Sequence, residues 1–202
     1  DGEAGAPTVI LEAMSGGSVP NWGWIQREIA AAARVCSYDR AGAGWSDAAP
    51  AALGLRQSAT DLHTLLTRAG VPGPYVLVGH SKGGLIVRQF AADHPDEVAG
   101  IVLLDAAHPD QFDRHPEYLQ EMDELMPLLR WAPPLARLGL MRLYAVDGFD
   151  FSGLPPRDEA ELIAEWSAAK HWDSELANSI DPIAFFEEGQ SLGSLGDLPL
   201  AV

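Results

Sequence analysis

One short stretch carries the sharpest chemical signal in the chain: Tyr75-Val76-Leu77-Val78-Gly79-His80-Ser81-Lys82-Gly83-Gly84-Leu85-Ile86-Val87. Gly79-x-Ser81-x-Gly83 lies between an apolar run that reads as a strand and a run that reads as a helix. A nucleophile elbow needs that setting, with serine in a strained turn and its hydroxyl aimed beyond the carboxyl end of a sheet. Glycine is required at both flanks because a side chain at 79 or 83 would crowd the neighbouring strand and helix. The N–H of Lys82 and the positive end of the helix then face the negative charge that develops on an attacked carbonyl. The same five residues also fit a tight turn in which serine merely caps a helix, but the strand before and the helix after favour the elbow.

A serine hydroxyl is a weak nucleophile until a histidine takes its proton and an acid orients that histidine. Within the chain the acid candidate is Asp105, at the end of the apolar run 98–105, with a loop-stabilising carboxylate as its plainer reading. His108 and His115 follow Asp105 too closely to come from a separate strand-end loop, and His171 sits in a helical pattern beside Trp172. His63 and His94 read as surface helix residues, and His80 as a packing side chain directed away from the hydroxyl. The side chain of Lys82 reads as solvated or paired with a carboxylate, not as a base.

These residues need elements to hold them. Apolar runs rich in β-branched residues recur at 8–13, 34–38, 75–79 and 98–105, with 198–202 as a possible fifth. Continuous runs of this kind suit strands buried on both faces, as in a parallel sheet. Helical patterns separate them: Asn21 to Ala33 with Trp24, Ile25 and Ile29 apolar, Leu55 to Ala69 with Leu62, Leu65 and Leu66 on one face, and Lys82 to Ala92. Strand–helix repeats of this length predict right-handed crossovers and a doubly wound α/β sheet with helices on both faces. After Asp105 the rhythm breaks, and Pro116 to Arg130, Ala132 to Leu143 and Arg157 to Glu188 read as a helical insertion with a loop at Gly148 to Pro156.

Composition narrows the partners. The 202 residues hold 13 Lys+Arg against 29 Asp+Glu, a formal charge of −16. Residues 1–96 contribute −2 and residues 97–202 contribute −14. Clustered bases are what bind a phosphate backbone, so nucleic acid is not an expected partner. Cys36 is the single cysteine, which excludes an internal disulfide and a cysteine-rich metal site. No stretch approaches the roughly 20 apolar residues of a spanning helix, and Asp1-Gly2-Glu3 begins no signal segment. A soluble chain, cytoplasmic by default, is the expectation.

Taken in order, the blocks Val9-Ile10-Leu11-Glu12-Ala13 with Gly16-Gly17-Ser18, Asp39-Arg40-Ala41-Gly42-Ala43-Gly44-Trp45-Ser46-Asp47, the elbow from Pro74 to Gly84, His94-Pro95 and Val98 to Asp110 resemble the α/β-hydrolase fold superfamily. The similarity is to the branch that carries a helical cap after the strand following the nucleophile helix. It implies a core at 1–110, a cap at 111–195 and the start of the next core strand at 196–202. It also implies that Ser81 is the nucleophile and that Lys82 supplies one oxyanion N–H. The loop after the first matching strand supplies the second, and many members carry His-Gly there. Here the corresponding residues are Ala13-Met14, which makes the N–H of Ser15 the expected donor, with Gly16 and Gly17 leaving room for a slip of one residue. The Asp39-to-Asp47 block shapes the floor near this site in family members. Its plainer reading is structural, with Gly42 and Gly44 permitting tight backbone and Arg40 and Asp47 tying down the loop.

Family members place the acid and then the histidine after the nucleophile, beyond the cap. Gly196 to Val202 looks like the start of the strand that precedes them, so both are expected beyond Val202, and the chain is expected to be a piece lacking segments at both ends. The resemblance implies a serine hydrolase of carboxylic esters or related acyl compounds, working through an acyl-enzyme on a small, apolar substrate. The acidic second half disfavours anionic substrates. Serine at the nucleophile position argues against the aspartate-dependent dehalogenases and epoxide hydrolases of the same fold. No cofactor and no metal are expected, and the oligomeric state is open. The competing expectation is a non-catalytic ligand-binding or truncated, inactive protein of this fold.

Overall fold

The computed structural model describes residues 6–49, 52–148, 150–180 and 182–202, so the reading of Asp1 to Glu3 lies outside the described residues. Among them β1 (Thr8–Glu12), β2 (Val35–Ser37), β3 (Tyr75–His80), β4 (Val98–Leu104) and β5 (Leu200–Ala201) form one sheet in the order β2-β1-β3-β4-β5. Every pairing is parallel. Each strand falls within or at the edge of one of the apolar runs.

The crossovers decide which face each helix covers. From β1 the chain moves outward to β2 through α1 (Gly23–Ala30), then returns past β1 to β3 through α2 (Leu55–Arg68) and on to β4 through α3 (Lys82–Asp93). Reversing direction while keeping right-handed connections puts α2 and α3 on the face opposite α1. The packing follows this division. Ile10, Leu77 and Ile101 pack with Leu62 and Phe90 in one cluster, whereas Leu11 and Val78 pack with Trp22 and Ile29 in another.

Two helix faces differ from the expected ones. On α2 the buried stripe is Leu55, Ala59, Leu62 and Leu66, and Leu65 stands 41% exposed. At 100° per residue Leu65 lies well to the side of that stripe. On α1, Trp24 and Ile25 are likewise partly exposed, and the Trp24 indole N–H donates to the carbonyl of Gly153 in the loop between later helices.

Between β4 and β5 lie α4 (Gln111–Arg114), α5 (Glu117–Arg137), α6 (Met141–Asp147), α7 (Pro156–Trp166), α8 (Ala169–Ser179) and α9 (Pro182–Gln190). The expected break near Trp131 is absent, because α5 continues through Pro127, Pro133 and Pro134. Leu129, Ala132, Pro133 and Ala136 form its buried stripe, and Trp172 of α8 packs against it. That packing outweighs the hydrogen bonds the prolines remove. The insertion therefore has its own small core, but α9 does not share it. Phe185 of α9 is buried in the main cluster with α2 and α3. No described helix is long and apolar enough to cross a membrane.

Candidate active site

The reversal of winding direction falls between β1 and β3, and the crevice outside their carboxyl ends is where α/β sheets bind ligands. Glu12, the last residue of β1, is in register with Gly79 of β3, two residues before Ser81. Ser81 has φ 50 and ψ −122, a left-handed conformation that a side chain rarely adopts. Its backbone is held from three directions. The N–H donates to Leu104 O at 3.2 Å, and the carbonyl accepts from Gly84 N at 2.9 Å and Ala107 N at 3.0 Å. Strain of this kind persists only where surrounding bonds enforce it.

The flanking glycines are needed for close approach. A Cβ at Gly79 would lie 2.6 Å from Gly83 O, and one at Gly83 would lie 2.7 Å from Ala13 O. Gly83 thus lets the first turn of α3 press against the end of β1. As the first residue of α3, Lys82 has a backbone N–H with no acceptor inside the helix.

Beside the elbow, the loop after β1 is anchored by a buried polar cluster that is not legible as such in the sequence. Glu12 is fully buried and accepts hydrogen bonds from the Tyr38 hydroxyl and the Arg40 guanidinium. Burial pushes its carboxyl above the ordinary range, against the pull of Arg40 and Tyr38. Burial also opposes the Arg40 charge, but Glu12 and Tyr38 outweigh it and hold the guanidinium firmly protonated. Arg40 donates further to Ala13 O at 2.6 Å and to Met14 O. In a trans peptide the N–H points opposite to the preceding carbonyl. The N–H groups of Met14 and Ser15 therefore both face away from Arg40. The available signal is a lone carboxylate ending an apolar strand, since a buried charge must find a partner.

Asp39, not Asp47, secures the glycine-rich loop with its side chain. Its carboxylate accepts from Val19 N at 2.8 Å and Trp45 N at 2.9 Å, while Asp47 contributes its main-chain carbonyl to Gly42 N at 2.7 Å. Arg40 does tie down the loop, as expected.

Lys82 is only partly exposed and, among the described residues, makes no ion pair. Its ammonium lies over the Phe185 ring, 4.0 Å from the centroid. Burial first, and then Arg40, lower its pKa to about 8 against the pull of Glu175 and Glu12.

Asp105 also has positive φ, 41°. It is exposed and, with Ala13, Met14, Trp22, Ile25 and His80, lines a cavity of about 360 Å³. Ser15 is exposed and borders a separate, much smaller space with Lys82 and Glu175. The six histidines are engaged elsewhere. His80 packs edge-on to Trp22, and His108 and His115 sit by Asp110 and Glu117. His171 is buried beside Glu165, and His63 and His94 stack together near Glu97.

Polar bonds latch the insertion onto the loops around the site. Glu165 of α7 accepts from the Ser18 hydroxyl at 2.5 Å and Gly44 N at 2.8 Å, with His171 Nδ1 at 3.5 Å. Burial pushes this carboxyl up, but the bonds from His171, Ser18 and Gly44 outweigh it and hold it below its ordinary value. Lys170 donates to the carbonyls of Gly44 and Ser46, the latter at 2.7 Å.

Comparison with known proteins agrees with this architecture. A family model described as alpha/beta hydrolase fold matches residues 7–141. An uncharacterized protein of Schizosaccharomyces pombe is 35% identical over 175 residues, which cover 84% of this chain and 31% of the yeast protein. The uncharacterized protein YqjL of Bacillus subtilis is 35% identical over 103 residues, 51% of this chain and 41% of its own. The chain thus spans less than half the length of either relative. A crystal structure from work on carboxylesterases of Nitrososphaera gargenis has a TM-score of 0.61 at 18% identity, covering 94% of this chain and 69% of that one. With its parallel sheet, strained strand-to-helix turn at Ser81 and helical insertion, the chain belongs to the alpha/beta hydrolase fold family.

Proposed function

We propose that this chain carries the nucleophile and oxyanion site of a serine hydrolase acting on carboxylic esters or related acyl compounds. The observation that carries the reading is the enforced left-handed conformation of Ser81 at the winding reversal of the sheet. In this reading the Ser81 oxygen attacks the substrate carbonyl as a histidine takes its proton, and the tetrahedral oxyanion accepts hydrogen bonds from the N–H groups of Lys82 and Ser15. Collapse expels the alcohol and leaves an acyl group on Ser81, which water then removes with the same histidine as base. The histidine and its acid come from the part of the protein beyond Val202, and Asp105 is the reserve candidate for the acid.

The cavity beside His80 and Asp105, walled by Met14, Trp22 and Ile25, suits an apolar acyl or alcohol group. In this reading residues 1–110 serve as the catalytic core and the part of 111–195 up to α8 as the cap that covers it, while α9 packs into the core instead, through Phe185, and 196–202 begin the next core strand. Hydrolysis of p-nitrophenyl esters by the full-length protein tests this. Ser81→Ala should abolish turnover while leaving the fold intact, and an unchanged rate would contradict the assignment. The engagement of all six histidines away from Ser81 favours a second reading, a binding protein without turnover. In that case the full-length protein would bind esters without cleaving them.

A further inference from the structure

Away from Ser81, just ahead of β4 at the amino end of the sheet, three side chains with metal-binding atoms meet. They come from three places in the chain: His63 from α2, His94 from just past the end of α3, and Glu97 from the turn entering β4. His63 Nε2 lies 3.2 Å from Glu97 Oε1, and His94 Nδ1 lies 3.9 Å from the same oxygen. All three ligand atoms fall within 4.8 Å of one another. The two imidazoles stack with centroids 3.8 Å apart and planes 10° from parallel. Both rest near Phe90, which is fully buried and forms an apolar floor. His94 is thus not the surface helix residue expected from the sequence, because the helix ends before it.

We propose that His63, His94 and Glu97 form a binding site for a divalent metal ion of the zinc class. Two imidazole nitrogens and one carboxylate oxygen are a familiar zinc ligand set, with water in the fourth position. Around a tetrahedral ion with bonds of roughly 2.0–2.2 Å, neighbouring ligand atoms sit about 3.3–3.6 Å apart. The His63–Glu97 separation already matches, and the His94–Glu97 separation needs to close by a few tenths of an ångström. The stacked rings must also turn so that both nitrogens converge on one ion. The side chains are 30%, 29% and 42% exposed, which gives the rings room to turn and leaves the fourth position open to water. A bound ion would join α2 to the α3–β4 connection and stabilise the folded state through its differential affinity for it.

Zinc chloride alone, titrated into chelator-treated full-length protein, tests the site. One ion per chain should bind and raise the melting temperature, and Co²⁺ in its place should give the visible absorption bands of a four-coordinate site. Removing an outer-sphere partner of a metal ligand costs roughly 10–100-fold in affinity, so removing a ligand should cost at least that much. His63→Gln, His94→Gln and Glu97→Gln should each show that loss. Glu97→Gln keeps the size of a partly exposed side chain, so the comparison survives if a histidine variant folds poorly. No melting shift for the wild type in excess zinc, or equal binding by wild type and Glu97→Gln, would overturn the proposal.

Discussion

Glu12 and Arg40 form a buried ion pair at the point where β1 ends and the loop that meets the first turn of α3 at Gly83 begins. The same guanidinium also holds the carbonyls of Ala13 and Met14. One arginine therefore neutralises the buried carboxylate and fixes the direction of two peptide planes. Breaking a buried pair by removing one partner costs about 3–5 kcal/mol. Arg40→Met should destabilise by that order in chemical denaturation. Arg40→Lys should recover only part of it, because a single ammonium cannot reproduce the fork that reaches Glu12 and both carbonyls. A variant as stable as wild type would contradict the anchoring role.

Gly83 is a second sensitive point. Its hypothetical Cβ meets main-chain oxygen at the end of β1, where no flexible side chain can yield. Gly83→Ala should therefore push α3 off the strand and cost on the order of 1–3 kcal/mol. Gly193, with nothing near its Cβ position, serves as the control, and Gly193→Ala should be close to neutral. Equal melting temperatures for the two variants would count against a close-approach role at position 83.

Lys82 gives a pH signature. Its pKa is about 8 in the folded chain against an ordinary 10.5. Between those values the unfolded chain binds more protons, so stability rises with pH across that window. Relative to Lys82→Met, the wild type should gain melting temperature as the pH rises from below 8 towards 10.5. A pH-independent difference between the two proteins would show that the ammonium is not desolvated over Phe185.

Glu165 gives a signature of the opposite sign. Its carboxyl is held below the ordinary 4.5, so it contributes stability that is present above 4.5 and lost as the pH falls through the depressed value. Glu165→Gln should remove part of that acid dependence and cost about 1–3 kcal/mol, the scale of leaving buried donors unpaired. It should also speed proteolysis within α7 and α8 before the core is cut. Unchanged cleavage would mean that Ser18 and Gly44 do not latch the insertion.

The main frame was legible in the sequence because its determinants are local. Apolar runs buried on both faces give β1, β3 and β4, and the spacing Gly79-x-Ser81-x-Gly83 marks the strained turn between β3 and α3. The rest depends on distant partners. Leu65 looks as buried as Leu62 until the stripe set by Leu55 and Ala59 is known. The prolines of α5 suggest a break, and only packing against Trp172 shows why the helix continues. Glu12 with Arg40, Glu165 with Ser18, and His63 with Glu97 join residues 28, 147 and 34 positions apart, beyond the reach of any periodic pattern. Asp105 shows the same limit, because its left-handed backbone and exposure leave no local trace.

The most direct test of the proposed function is the mass of the full-length protein before and after reaction with a fluorophosphonate probe. A single adduct mapped to Ser81, absent in Ser81→Ala, is the expected result. No adduct on a folded full-length protein, or an adduct that persists in Ser81→Ala, would contradict the assignment of Ser81 as the nucleophile.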